Sequence, residues 1–339
     1  MLRLADLTTL RLGGPTARMQ SASSLSELVA AVRAADAASE RVLLLGGGSN
    51  LVVADEGWPG VTVLIRGPSV SVRRDGPAVL LRVSAGTDWD TLVAQAADEG
   101  WAGIESLSGI PGLTGATPVQ NVGAYGQHVS QTITDVTVWD RAAGRIAVLS
   151  AADCGFGYRT SAFKHSDRYV VLEVGFRLSA SGRSGPIRYA ELTRVLGASD
   201  AVPLADVRAA VLELRRGKGM VLDPADHDTW SVGSFFTNPI LSAAEVAAFD
   251  TLAGSAYPSW PDPLGRKLSA AWLIEQAGFG KGYGNGPVRV STKHTLALTN
   301  RGKAHTSDLL ALAREIRDGV RARFGVQLRA EPRLVECEL

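Results

Sequence analysis

The chain has 339 residues, 45% hydrophobic and 20% charged, the composition of an ordinary water-soluble protein with room for two or three domains. Its 35 Lys and Arg against 34 Asp and Glu leave a net charge of +1, which offers no electrostatic footprint for nucleic acid or an anionic membrane. The two cysteines, Cys154 and Cys337, lie far apart, and the five histidines are scattered without metal-ligand spacing, so no metal site is expected.

Residues 1–7 lack a basic region followed by a long apolar stretch, and no later apolar run approaches the span of a bilayer. A cytoplasmic protein is expected. The first helix is predicted from Ser24 to Ala38, opened by a capping-box pattern at Ser24 and Glu27, with Leu25, Leu28, Val29 and Val32 at helical spacing. Strand Val42–Leu45 then runs into Gly46, Gly47, Gly48, Ser49 and Asn50, and the apolar run resumes at Leu51–Val53. A dinucleotide fold needs its glycine turn to open a helix, and here a strand follows, so a Rossmann reading fails. Two readings stay open from the residues alone. One is an ordinary glycine turn between strands; the other is a backbone cradle for a diphosphate, with the Ser49 hydroxyl and Asn50 amide as further donors. Val61–Ile65 closes this unit as a strand, and residues 1–67 read as a small α/β domain.

Strands follow around Val70 and over Val79–Val83, then a helix starting at Thr87 with Trp89, Leu92, Val93 and Ala96 on one face. From Gly103 to Gly126 the chain is dense in Gly, Ala, Ser and Thr, and between Glu105 and Asp135 it carries no Asp, Glu, Lys or Arg. Such a stretch suits a backbone wrapped around a large planar ligand, with Gln120 and Asn121 as side-chain partners; a loop packed under its neighbours is the alternative. Residues 134–140, 145–149 and 169–178 read as strands, and between them Tyr158 and Arg159 offer a phenol and a candidate carboxylate clamp. A helix is predicted from Pro203 to Arg216, ending in a basic cluster that includes Lys218. Ser234 lies between a glycine and two aromatics, outside any G-x-S-x-G elbow. Capped helix Ser242–Glu245 onward, helix Leu268–Ala277, a glycine-rich loop 278–286, strand Leu296–Thr299, helix Ser307–Phe324 closed by Gly325, and a strand Val326–Val335 carrying Glu331 complete the chain.

Five of these stretches resemble, in the same order, motifs of the UDP-N-acetylenolpyruvoylglucosamine reductase family. They are Leu45 to Asn50; Gly109 to Gly112 continuing through Gln120 to Gly126; Tyr158-Arg159 to Phe163-Lys164; Gly233 to Phe236 with Asn238-Pro239; and the C-terminal Glu331. The resemblance runs nearly end to end. It implies an α/β (α+β) fold with a two-part FAD-binding region of the vanillyl-alcohol-oxidase/PCMH type and a C-terminal α+β substrate-binding domain. The implied domains are 1–67 and 68–200 for flavin and 201–325 for substrate, with 326–339 packing back near the first. Tyr189 resembles the substrate-covering tyrosine of the family's longer subtype.

By the same resemblance, FAD is bound non-covalently by Gly46, Gly47, Gly48, Ser49, Asn50, Leu51, Gly109, Ile110, Pro111, Gly112, Gly115, Ala116, Pro118, Gln120, Asn121, Gly123, Ala124, Tyr125 and Gly126. NADPH is the implied co-substrate, and a UDP-N-acetylglucosamine enolpyruvyl ether is the implied substrate. Hydride would pass through the flavin to C3 of the enolpyruvyl group. Arg159 and Glu331 match the pair that stabilises the substrate carboxylate, and Ser234 matches the proton donor to C2. Substrate contacts carried over are Tyr158, Tyr189, Lys218, Asn238, Lys267 and His294. Three features depart from the family pattern: Thr237 stands where Lys or Arg is common, five residues separate Lys218 from Pro224, and Pro332 follows Glu331 directly. Pro332 is expected to bend the terminal strand or make it an edge. A monomer is expected. Another FAD-linked oxidase of the same fold has no need of the Ser234 and Arg159 motifs, and a non-catalytic nucleotide-sugar binder has no need to keep Arg159, Ser234 and Glu331 together.

Overall fold

The computed structural model describes residues 2–254 and 256–339. Its strands and helices begin with β1 (Thr16–Ala22), α1 (Leu25–Ala37), β2 (Val42–Leu45), β3 (Leu51–Val53), β4 (Trp58–Ile65), β5 (Val70–Asp75), β6 (Ala78–Ser84) and α2 (Trp89–Asp98). After two-residue strands β7 (Gly123–Ala124) and β8 (Gln127–His128) come β9 (Ile133–Asp140), β10 (Arg145–Ser150) and β11 (Tyr169–Ser179). Helices α3 (Ala190–Leu196) and α4 (Leu204–Gly217) follow, then β12 (Ile240–Leu241), α5 (Ala243–Ala253), β13 (Ser259–Asp262), β14 (Gly265–Leu268) and α6 (Ala270–Gln276). The chain ends through β15 (Val288–Val290), β16 (Leu298–Asn300), α7 (Thr306–Phe324) and β17 (Arg333–Val335).

Two compact units result. One comprises the chain up to Thr16, Gly48–Trp58 and Leu222–Leu339; the other comprises Ala17–Gly47 and Pro59–Val221. These units cut the chain differently from the boundaries expected at 67 and 200, and strand pairing gives the reason. β3 pairs in parallel with β17, whereas β2 pairs in parallel with β4, so the glycine turn between β2 and β3 is where the chain passes from one unit to the other. Helix α4 stays with the second unit because its apolar face, Val207, Ala210 and Val211, packs with Ile187 and Leu192 around α3.

In the second unit a five-stranded sheet runs in the order β10-β9-β11-β6-β5 with every neighbour antiparallel. α2 shares a core with this sheet, in which its Trp89, Leu92, Val93 and Ala96 cluster with Leu81, Val83 and Phe176, and the Trp89 and Phe176 rings stand 6.0 Å apart. The helix starts later than predicted. The Asp88 carboxylate caps it by accepting the Thr91 N–H at 2.8 Å, while the Thr87 hydroxyl is held by Ser84 and Ser69. α1 begins as predicted at the Ser24 cap and buries Leu28, Val32 and Ala35 against Val61, Val63 and Leu172.

The other unit has a core of Phe235, Phe236, Phe249, Leu273, Ile274, Leu309, Ile316, Val320 and Phe324. Helix α7 closes at Gly325, whose φ of +70° is the left-handed cap conformation. Its first turn is capped from a distance by Asp55, which accepts the Thr306 and Ser307 N–H groups at 2.7 and 3.0 Å. Two strand expectations are corrected. The strand expected at 296–299 lies at 298–300, because Ala297 closes a turn onto the His294 carbonyl. The long terminal strand expected over 326–335 is reduced to β17, since Pro332 has no N–H to donate. The segment before Pro332 pairs elsewhere: Thr237 donates to Arg329, Phe236 bridges Ala330, and Glu331 donates to Phe235.

Candidate active site

Strand β2 delivers Gly46 and Gly47 directly against the second small-residue stretch. A Cβ on Gly46 would touch the Leu113 side chain at 3.4 Å, and one on Gly47 would stand 2.8 Å from the Gly112 Cα, closer than side chains are tolerated. The two stretches singled out in the sequence therefore meet backbone to backbone in one unit. Residues 112–115 are pinned there by the β6–α2 connection: Trp89 donates to the Gly112 carbonyl, and Thr114 and Gly115 donate to Thr87 and Ala85. A Cβ on Gly115 would lie 2.4 Å from the Ala85 Cβ, so glycine is required by packing. Close backbone approach without side chains fits the surroundings of a dinucleotide's phosphates. Gly48, Ser49, Asn50 and Leu51 belong to the other unit, where the Gly48 carbonyl accepts the Thr9 N–H at 3.1 Å.

The charge-free stretch is built on two carboxylates that sequence reasoning missed. Glu105 is buried and accepts the Gly103 N–H at 2.6 Å and the Gln127 amide at 2.8 Å, while Gln127 in turn accepts the Ser106 N–H. Asp90 accepts the Gly109 N–H at 2.6 Å and a forked pair from Arg208 at 2.6 and 2.9 Å. Burial acts to raise the Asp90 pKa, but the Arg208 and Gly109 hydrogen bonds outweigh it and hold the carboxyl below its ordinary range. A lowered folded-state pKa contributes stability that is present above the unfolded pKa near 4 and lost as pH falls through the folded value. Asp90→Asn should thus cost about 1 kcal/mol at neutral pH, allowing for solvent screening of a part-exposed pair. In denaturant titrations the gap from wild type should close as the pH is taken below about 4; a gap that persists in acid would mean that shape, and not charge, is what Asp90 supplies.

Asn121, expected to reach a ligand with its amide, also bonds within the protein. Its Nδ2 donates to the Gly157 carbonyl at 3.0 Å and its Oδ1 accepts the Ser130 N–H at 3.1 Å. It thereby ties the small-residue stretch to the Arg159 segment. Ser161 adds a second tie, donating to Val119 at 2.7 Å. Arg159 sits at the left-handed φ of +53°, which costs a non-glycine residue about 1 kcal/mol. It is held by its own Nη2 on the Gly123 carbonyl at 2.9 Å and by Lys164 on its carbonyl at 2.9 Å. Tyr125, also at positive φ, meets Tyr189 edge to face with centroids 5.3 Å apart. Burial pushes the Tyr125 phenol up to about 12, so it stays a neutral hydrogen-bonding group at physiological pH. Lys218, on the end of α4, is ion-paired with Glu191 of α3.

In the other unit Gly233, at φ +74°, turns the chain so that Ser234 precedes two buried aromatics. Phe235 and Phe236 are 0% and 1% exposed and pack edge to face at 5.0 Å. The Phe235 N–H donates to Leu296 at 2.7 Å, and its carbonyl accepts the Glu331 N–H at 2.8 Å. Ser234 and the largely buried Glu331 are thus fixed to the same short pairing of strand-like segments. Upstream, Asp228 is 5% exposed and braces the loop by accepting from the Thr292 N–H and hydroxyl at 3.0 and 2.5 Å and from Arg301 at 3.0 Å. Asn238, expected to contact substrate, uses its Oδ1 to accept the Ala270 N–H at the start of α6. Lys267 lies on β14 opposite Ile240 and Trp260, and His294 lies in the turn after Ser291, which accepts its N–H at 3.3 Å. Arg159 belongs to the second unit, and Ser234 and Glu331 to the first.

Among the described residues no helix is long and apolar enough to cross a membrane. Residues 17–150 match the FAD binding domain family, and residues 223–335 match the UDP-N-acetylenolpyruvoylglucosamine reductase C-terminal domain. The chain is 61% identical to the UDP-N-acetylenolpyruvoylglucosamine reductase of Thermobifida fusca, over 99% of its own length and 97% of the relative's. It is 57% identical to that of Salinispora arenicola, over 99% and 95%. A crystal structure of the reductase from Thermus caldophilus superposes with a TM-score of 0.67 at 25% identity, covering 98% of this chain and 97% of that one. The FAD-binding fold with a C-terminal α+β domain expected from the sequence is the fold these matches describe. From end to end, then, the chain belongs to the UDP-N-acetylenolpyruvoylglucosamine reductase family.

Proposed function

We propose that this chain reduces UDP-N-acetylglucosamine enolpyruvate to UDP-N-acetylmuramate, with FAD as non-covalent cofactor and NADPH as reductant, in peptidoglycan precursor synthesis in the cytoplasm, acting as a monomer. The observation that carries the reading is the Phe235–Glu331 backbone pairing, which anchors a serine and a glutamate to one short stretch of backbone in a family-matched region. The glycine stretches, 46–51 and 109–126, would hold FAD, which when bound would supply hydride transfer to C3 of the enolpyruvyl group. The remaining work falls to side chains. Ser234 delivers its hydroxyl proton to C2, and an adequate acid for a carbanion need not be a strong one. Arg159 and Glu331 hold the neighbouring carboxylate, onto which charge spreads as C3 is reduced. Tyr158, Tyr189, Lys218, Asn238, Lys267 and His294 hold the nucleotide sugar. In functional terms, residues 1–67 with 326–339 and residues 68–200 form the flavin-binding part, which also contributes Tyr158, Arg159, Tyr189 and Glu331 to the substrate, and residues 201–325 form the substrate-binding domain.

Mass spectrometry of the product tests this directly. Holoenzyme with NADPH and the enolpyruvyl sugar should yield a sugar nucleotide heavier by two hydrogens; recovery of unchanged sugar beside consumed NADPH would refute the assignment. Gly47→Ala tests the flavin cradle. Its Cβ must push the Gly112 backbone aside, and flavin affinity should fall about ten-fold or more. The flavin-to-protein ratio after dialysis reads the effect, and full retention would place the cofactor's phosphates elsewhere.

A further inference from the structure

The pairing of Lys218 with Glu191 is not needed to hold its two helices together. Leu192 of α3, with Ile187 just before that helix, already packs with Val207, Ala210 and Val211 of α4, an apolar contact independent of the charges above it. Glu191 stands in the first turn of α3, two residues after Tyr189, and its Oε2 accepts a hydrogen bond from the Lys218 ammonium. Both side chains keep partial access to water, at 29% exposure for Lys218 and 27% for Glu191. The ammonium also lies 5.6 Å from the Tyr125 ring centroid, and Tyr125 abuts Tyr189. A cation set among phenols with one carboxylate on it can trade that carboxylate for an incoming anion, provided the newcomer carries enough charge.

We infer that Glu191 is a built-in competitor for Lys218, which the diphosphate of the sugar nucleotide must displace, so that Glu191 sets the charge a ligand needs in order to bind. This rests on the reading of Lys218 as a ligand contact. A neutral sugar cannot make the exchange, whereas a diphosphate replaces one negative charge with two. Glu191 acts through Lys218 and is a positioning residue, not a catalytic one.

Glu191→Gln keeps the side chain's shape and removes its charge. The KM for the enolpyruvyl sugar nucleotide should fall about five-fold with kcat held, and calorimetric affinity for UDP-N-acetylglucosamine should rise by the same factor. Lys218→Met should raise KM about ten-fold, and the double variant should match Lys218→Met alone, because the gain exists only while the lysine is present. Glu191→Ala should move KM in the same direction as Glu191→Gln. If Glu191→Gln raises KM or leaves it unchanged while Lys218→Met raises it, the competitor inference is overturned and the lysine assignment stands. If Lys218→Met leaves KM unchanged, both fall.

Discussion

Ser234→Ala is expected to slow oxidation of the reduced flavin by the enolpyruvyl sugar by about 10² to 10⁴, while reduction of the flavin by NADPH proceeds at the wild-type rate. The split follows from what the hydroxyl does. In the proposed reaction it is the proton source for C2 of the sugar's side chain and has no part in the first half-reaction. The substitution removes one oxygen from a half-buried turn position whose backbone is anchored on both sides, by Gly233 before it and by Phe235 after it. Stability should therefore change little, and a stopped-flow record of both half-reactions separates the effects. Equal slowing of both would point to a displaced cofactor and not to a missing acid.

Phe235→Ala is expected to destabilise the protein by about 3–5 kcal/mol, the cost of a cavity at a fully buried aromatic position. Its ring packs with Phe236 in the core that also holds Phe249, Leu273 and Phe324. Two of the proposed catalytic groups hang on this residue: Ser234 precedes it in the chain, and Glu331 donates to its carbonyl. Activity measured well below the melting midpoint should fall as well, since the serine and the carboxyl lose their common anchor. Phe235→Leu, which retains most of the volume, should recover much of both properties. An alanine variant that melts with the wild type would show that the ring does not anchor the site.

The legible parts of the fold were those carried by local pattern. α1 could be read because Ser24 and Glu27 open it and its apolar residues recur at helical spacing; α4, α5 and α7 could be read for similar reasons. The glycine stretches stood out because both lack the side chains that a surface loop carries. What escaped were features made by distant partners. Asp90 with Arg208, Glu105 with Gln127, and Asp228 with Thr292 and Arg301 become pairs only when segments far apart in sequence come together. The same cause hid the bonds that Asn121 and Asn238 make within the protein, to Gly157, Ser130 and Ala270. Pro332 was visible as a strand breaker, but not the alternative pairing of residues 329–331 with 235–237 that it permits. Apolar periodicity reports which face is buried, and it is silent on which remote segment covers that face.

The most direct measurement is the flavin absorbance of the purified holoprotein under anaerobic conditions, followed during addition of NADPH and then of UDP-N-acetylglucosamine enolpyruvate. Bleaching by NADPH and rapid recovery with the sugar nucleotide is the predicted course, and it would establish both half-reactions in one protein. Bleaching without recovery would contradict the assignment of the substrate, and a protein that binds no flavin would contradict the reading of both glycine stretches.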